Sequence, residues 1–286
     1  MNQKEKIAIV NLLRAFVDNK GSQNKAAAAL KGASTAVVSH LLSGNWEPYS
    51  DDMFRNIGAQ VGYNNREWQF AETSNSTKLL EDLLDAKQNA KVLSIVAPAG
   101  SGKSETTKKF AAENKNVFRI ECGQYWTPDF FLSEIIQKIG IQSNSTRVPY
   151  MMRDIVSDLL KRQSPMIIID EVDKVDDKVL AFLITFYNEL VPHCSIIISA
   201  THYLIKRIND GVRLQKKSYN EIKSRYGRYY EFEPTSGKDV KILCEAQGIT
   251  DSQIINSISR DCKGDLRIAR DLIMDELRAN NKKITA

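Results

Sequence analysis

The chain has 286 residues, room for one large domain or two to three smaller modules. Hydrophobic residues at 42% and charged residues at 26% exclude an intrinsically disordered chain, and no apolar run approaches the ~20 residues that span a bilayer. A net charge of +5 permits nucleic-acid binding without establishing it, while four scattered cysteines and three histidines, with no Cys-x2-Cys pair, argue against a zinc site or a disulfide framework. The opening Met-Asn-Gln-Lys-Glu-Lys leads into a charged amphipathic stretch rather than a signal-peptide core, so the expected location is cytoplasmic.

Residues 4–18 read as an amphipathic helix, with Ile7, Val10, Leu13, Phe16 and Val17 largely on one face. Ser22 can cap a short helix through Leu30, Gly32 supplies a turn, Ser34 caps a second helix through Leu42, and Gly44 stops it. Two short helices joined by a glycine-bearing turn form a helix-turn-helix pattern. It resembles the DNA-binding domain of phage-repressor-type regulators, including the Ser43-Gly44-Asn45 exit with Pro48 three residues on. In that reading Val37, Val38, Leu41 and Leu42 face inward, and Thr35, Ser39 and His40 are candidate DNA contacts. A solvated or protein-docking face fits the same residues, and Glu47, Asp51 and Asp52 argue for docking or for weak DNA binding. A further helix, 53–61, ends at Gly62; 66–76 is taken as linker, and a capped helix over 77–89 follows.

Val92-Leu-Ser-Ile-Val96 is an apolar strand, Ala97-Pro98-Ala99-Gly100-Ser101-Gly102-Lys103-Ser104 a small-residue loop, and 105–113 a helix. This is the strand–loop–helix context of a phosphate-binding loop: backbone N–H groups and the helix N-terminus surround an anion, Lys103 reaches outer phosphates, and Ser104 ligates magnesium. Ala97 stands where the usual pattern has its first glycine. A strand over 116–122, a helix over 127–140 and a helix over 150–162 come next, and their alternation with strands predicts a parallel sheet. The apolar run Met166–Ile169 ends in Asp170-Glu171, about 67 residues after Lys103. Asp170 at a strand end can hold the magnesium shell, and Glu171 can polarise an attacking water. After a helix over 178–190, a buried strand ends in Ser199-Ala-Thr201, where a hydroxyl can sense the terminal phosphate; Thr201 is preferred over Ser199, and both equally suit a plain strand end.

Residues 203–228 are strongly basic: Lys206, Arg207, Arg213, Lys216, Lys217, Lys223, Arg225 and Arg228 meet only Asp210 and Glu221. Lys206, Arg207, Arg213, Lys216 and Lys217 are candidates for tracking DNA phosphates. The segment closes with a strand-like 224–234, and residues 235–286 read as helices.

Taken together these motifs resemble AAA+ ATPases over about residues 75–280. Ala97–Ser104 matches the Walker A loop apart from Ala97, and Ile167–Asp173 matches Walker B. Ser199–Thr201 lies at the first sensor, Ser224-Arg225-Tyr226 resembles the arginine-finger region, and Gly264-Asp-Leu-Arg267 resembles the second sensor. The resemblance implies an α/β fold: an AAA+ P-loop parallel sheet core (77–234) with a C-terminal helical lid (235–286), preceded by a small all-α helix-turn-helix domain (1–65). It implies ATP and Mg²⁺ as ligands, Arg225 or else Arg228 as a finger acting on a neighbouring subunit, Arg267 acting within its own, and ATP-driven self-assembly into rings or helical filaments.

Within that family the domain order is similar to transposase-activating ATPases of the phage Mu B type. That similarity implies a protein that coats double-stranded DNA and activates or targets a transposase. A helicase-loader-like ATPase is the alternative, and a nucleotide-switched helix-turn-helix regulator without essential hydrolysis a second. Glu171 argues against the last, because a pure switch needs no water-polarising carboxylate.

Overall fold

The computed structural model describes residues 1, 3–63, 68–143 and 145–284. The chain forms two compact units, 1–68 and 69–286. Among the described residues, no helix is long and apolar enough to cross a membrane.

The first unit consists of α1 (Gln3–Lys20), α2 (Gln23–Ala29), α3 (Thr35–Ser43) and α4 (Asp51–Gln60). Its core is the set that the helical periodicity predicts: Ile9 and Leu13 from α1, Ala27 and Leu30 around α2, Val38 and Leu41 from α3, and Phe54 and Ile57 from α4. The caps are local. The Ser22 hydroxyl accepts from the Lys25 N–H and that of Ser34 from the Val37 N–H, while Gly44 closes α3 at φ 86°. Asp51, one of the acidic residues expected to argue for docking or for weak DNA binding, is held within the unit by Lys6 at 2.8 Å and by the Met1 amine. Those hydrogen bonds lower its pKa to about 2.

The second unit is built on five parallel strands, β1 (Val92–Val96), β2 (Val117–Glu121), β3 (Met166–Asp170), β4 (Ser195–Ala200) and β5 (Tyr229–Glu231), in the order β2-β3-β4-β1-β5. The central β3 and β4 are buried along their whole length, which is why they read as unbroken apolar runs. Alternation divides them between two cores. Ile168 and Ile197 join Ile95 beneath α5 (Ser74–Gln88) and α6 (Lys103–Glu113). Ile167, Ile169, Ile196 and Ile198 pack beneath the opposite layer. That layer comprises α7 (Pro128–Ile139), α8 (Val148–Leu159), α9 (Asp177–Leu180), α10 (Phe182–Leu190), α11 (Tyr203–Arg213) and α12 (Tyr219–Tyr226). The lid is α13 (Gly237–Ala246), α14 (Ser252–Cys262) and α15 (Leu266–Ile284).

Three local expectations change. The expected linker runs to 76, and its residues 66 and 67 lie outside the described residues; α5 begins at Ser74, because Thr73 caps it from a buried position and Asn75 and Ser76 are themselves buried. The helix expected over 178–190 is two helices meeting at Ala181. Ser224, Arg225 and Tyr226 are helical rather than strand-like, since the buried Tyr226 hydroxyl donates to the Leu183 carbonyl and seats the end of α12 on α10.

The segment entering the second unit is laced to the lid. The Ser74 N–H donates to Asp239 Oδ1 at 2.7 Å, Asn75 exchanges two hydrogen bonds with the Glu233 backbone, and Gln247 does the same with the Gln69 backbone. Asp239 also completes the capping box of α13 with Ser236. Burial raises its pKa, but the hydrogen bonds from Ser74 and Ser236 outweigh that and hold it below the ordinary carboxylate value.

Candidate functional site

The loop between β1 and α6 is shaped as a phosphate cradle. Gly100 and Gly102 adopt φ of 73° and 90°, the left-handed region where a side chain is strained. Ala97 is different. It is fully buried, it is not among the positive-φ residues, and its N–H donates to the Ala200 carbonyl at 3.2 Å, extending the β1–β4 pairing by one step. Its backbone makes no demand for glycine, which accounts for the departure from the usual pattern.

Lys103 opens α6 and is only 8% exposed. Its ammonium donates to the carbonyls of Ala97 (2.8 Å) and Pro98 (3.0 Å). Burial lowers its pKa; Asp170, Asp173 and Glu171 pull it back up, and Arg267 lowers it further. The buried ammonium thus lies in the field of the acidic end of β3 and of the lid arginine. The Ser101 hydroxyl is buried without a hydrogen-bond partner among the described residues.

Asp170 is fully buried at the end of β3, on the face that carries α6. Its Oδ1 accepts the Glu171 N–H at 3.0 Å and its Oδ2 accepts Arg119 Nη2 at 2.5 Å. Glu171 adopts φ 56°, ψ 37°, a left-handed conformation unusual for a side-chain-bearing residue. Its carboxylate is engaged by Lys174, whose pKa it raises.

The two hydroxyls after β4 part company. Thr201 Oγ1 donates to Asp173 Oδ2 at 2.5 Å, tying the end of β4 to the turn after β3. Ser199 Oγ is buried with no partner among the described residues. The lid reaches the loop directly: the Leu266 N–H donates to the Gly100 carbonyl at 2.8 Å, and Arg267 is exposed beside this contact.

The outlying basic residues separate into held and open ones. Arg225 is held by Asn188 Oδ1 at 3.0 Å, by Glu221 at 3.3 Å and by the Tyr187 ring, while Arg228 is exposed. Arg207 is not a surface group: it is 13% exposed and bound to Asp177 (2.7 Å), the Val175 carbonyl (2.6 Å) and the Tyr219 hydroxyl (3.2 Å). Lys216 lies 3.6 Å from Asp177 and over the Tyr219 ring, and Arg213 pairs with Asp210 at 3.0 Å. Lys206 and Lys217 are exposed. In the first unit Thr35 and His40 are exposed, Ser39 is half-buried, and His40 Nδ1 is 2.8 Å from the Tyr49 hydroxyl.

Sequence reasoning missed Arg119, Asp173 and Lys174. Cross-strand register brings Arg119 to Asp170, and register leaves no local trace in the sequence. The burial of Arg207 had a signal, because it falls on the face of α11 marked by Leu204, Ile208 and Gly211.

A parallel sheet in this order, with a phosphate cradle after β1, an acidic pair after β3 and a helical lid, is the AAA+ P-loop fold. Residues 69–208 match the family model described as an AAA domain. The chain is similar in structure to the Aeropyrum pernix ORC1 protein solved in complex with DNA, at 16% sequence identity and a TM-score of 0.54, covering 73% of this chain and 60% of that one. It is also similar to two mutants of Thermotoga maritima RuvB, at 17% and 16% identity and a TM-score of 0.50 each, covering 76% of this chain and 65% and 66% of those chains. The chain therefore spans less than two thirds of each of these relatives, and the likeness is one of fold. No curated protein matches it in sequence.

Proposed function

We propose that the protein is a magnesium-dependent ATPase that assembles on double-stranded DNA and activates or targets a transposase. The observation that carries the ATPase reading is the buried Lys103 ammonium, set in the phosphate cradle within the field of Asp170, Glu171 and Asp173. The residues suit a metal–nucleotide: the orphaned hydroxyl of Ser101 lies in the cradle and that of Ser199 near the acidic end of β3, polar atoms that want a ligand or water. Ser104 and Asp170 are the groups that would hold Mg²⁺, which when bound neutralises charge on the phosphates. Lys103 leaves its carbonyl partners for the outer phosphates. Glu171 orients the attacking water once Lys174 releases it, and Thr201 or Ser199 reads the terminal phosphate. Arg267 adds positive charge from the lid.

Arg228 is the better candidate for a finger acting on a neighbouring subunit, because Arg225 is already engaged within its own. Assembly on DNA rests on the basic α11–α12 face, where Lys206 and Lys217 are open to phosphates, and on the α2–α3 pair read as a helix-turn-helix. The fold's likeness to an ORC1 protein in complex with DNA supports a DNA-acting role. A helicase-loader-like ATPase uses the same core and differs only in its client.

Electron microscopy with duplex DNA, with and without a slowly hydrolysed ATP analogue, tests the reading. Ordered polymers only with both ligands support it, and tight ATP-independent binding to one operator sequence overturns it. Stimulation of strand transfer by a transposase, set against loading of a replicative helicase, separates the two clients.

A further inference from the structure

Arg119 is 12% exposed and connects three elements. From β2 its Nη2 reaches Asp170 Oδ2 on β3 at 2.5 Å, and its Nε donates to Thr107 Oγ1 on α6 at 3.1 Å. Both terminal nitrogens also donate to Glu121 Oε2 at 3.1 Å. Its two carboxylate partners differ sharply: Asp170 is fully buried, while the side chain of Glu121 is 58% exposed. The Thr107 hydroxyl in turn donates to the Ser104 carbonyl, one turn from the cradle. The carboxylate that Arg119 shares is the one that the sequence reading assigns to the magnesium shell.

We propose that Arg119 is the resident counter-cation of Asp170, a positioning residue that sets how much magnesium the site demands. This rests on the nucleotide-binding reading above. A guanidinium beside Asp170 would repel a divalent cation held by the same carboxylate. Metal–nucleotide binding therefore displaces Arg119 from Asp170, and Glu121 is the fallback that keeps its charge paired. Until then Arg119 keeps the buried carboxylate from being left unpaired, a state that is strongly destabilising. No bond is made or broken in this exchange; one ion pair replaces another.

The test is a titration of MgCl₂ into the full-length chain with a fluorescent ADP analogue at fixed concentration. Glu121→Gln removes the fallback at an exposed position, so Arg119 clings to Asp170 and the half-saturating magnesium concentration rises severalfold. Arg119→Gln removes the competitor and lowers it about tenfold, the scale of a neighbouring unit charge; Arg119→Lys falls between that variant and the unaltered chain. Binding of the same analogue in EDTA stays within about twofold in Glu121→Gln. Because Arg119→Gln exposes Asp170 to a folding cost, Glu121→Gln decides the matter if the arginine variant does not fold. Equal magnesium midpoints in Glu121→Gln and the unaltered chain, or a raised midpoint in Arg119→Gln, overturn the inference while leaving nucleotide binding intact. Failure of the unaltered chain to bind the analogue at any magnesium concentration overturns the nucleotide reading itself.

Discussion

The Leu266 N–H donates to the Gly100 carbonyl at 2.8 Å, so the first residue of the last lid helix is hydrogen-bonded to the floor of the phosphate cradle. A side chain at Gly100 would be strained at φ 73° and would run into the Asp265 carboxylate, which is already committed to the Arg267 N–H. Gly100→Ala is therefore expected to disturb both lid and loop. The left-handed penalty alone is about 1 kcal/mol. Nucleotide affinity should fall by about tenfold or more, measured by titration of a fluorescent analogue.

Glu171→Gln should retain nucleotide binding and lose turnover by roughly 10²- to 10⁴-fold, the range of a general-base contribution. Phosphate release measured beside equilibrium binding separates the two effects. Turnover close to that of the unaltered chain would remove Glu171 from the role of water-polarising base.

Arg225 and Arg228 should behave differently. Arg228→Ala is expected to lower DNA-stimulated hydrolysis by at least about a hundredfold with little change in melting temperature. Arg225→Ala should chiefly lower the melting temperature, because it strips Asn188, Glu221 and the Tyr187 ring of their partner. Mixed assemblies of Arg228→Ala and Glu171→Gln chains give the sharper readout: partial recovery of hydrolysis means the arginine acts on a neighbour.

Asp239 links the segment entering α5 to the lid and gives this contact a pH dependence. Its pKa is lowered in the folded state, so its stabilising contribution is fully present above the ordinary carboxylate range and is lost as pH falls through that range and below. Melting temperature followed from pH 7 to pH 3 should drop more steeply in the unaltered chain than in Asp239→Asn. Parallel curves would show that the carboxylate does not govern acid sensitivity.

The parts legible in the sequence are those written locally. Ser22, Ser34 and Gly44 mark helix ends by their own chemistry, and the runs at Val92–Val96 and Met166–Asp170 announce buried parallel strands by being apolar without alternation. The cradle is legible because Gly100 and Gly102 supply backbone freedom in place and Lys103 follows them. What escaped reading is what register and tertiary approach create. Asp170 was found, but its partner Arg119 comes from a strand 51 positions earlier. Asp173 and Thr201 meet only because β3 and β4 are neighbours. The basic run over 203–228 looked like one surface, and folding divided it: Arg207 became an internal tie between α11, α9 and α12, while Lys206 and Lys217 remained open.

The lacing of Gln69, Ser74 and Asn75 to Gln247, Asp239 and Glu233 bears on how the module can move. The chain enters α5 through a strap whose hydrogen bonds run to α13 and the segment before it. If the lid tilts, it must either drag the strap along or break these bonds one by one. Any movement of α13 relative to α5 is therefore coupled to these hydrogen bonds. Fixing the strap to α13 with a disulfide would be expected to restrict such movement without touching any group in the phosphate cradle.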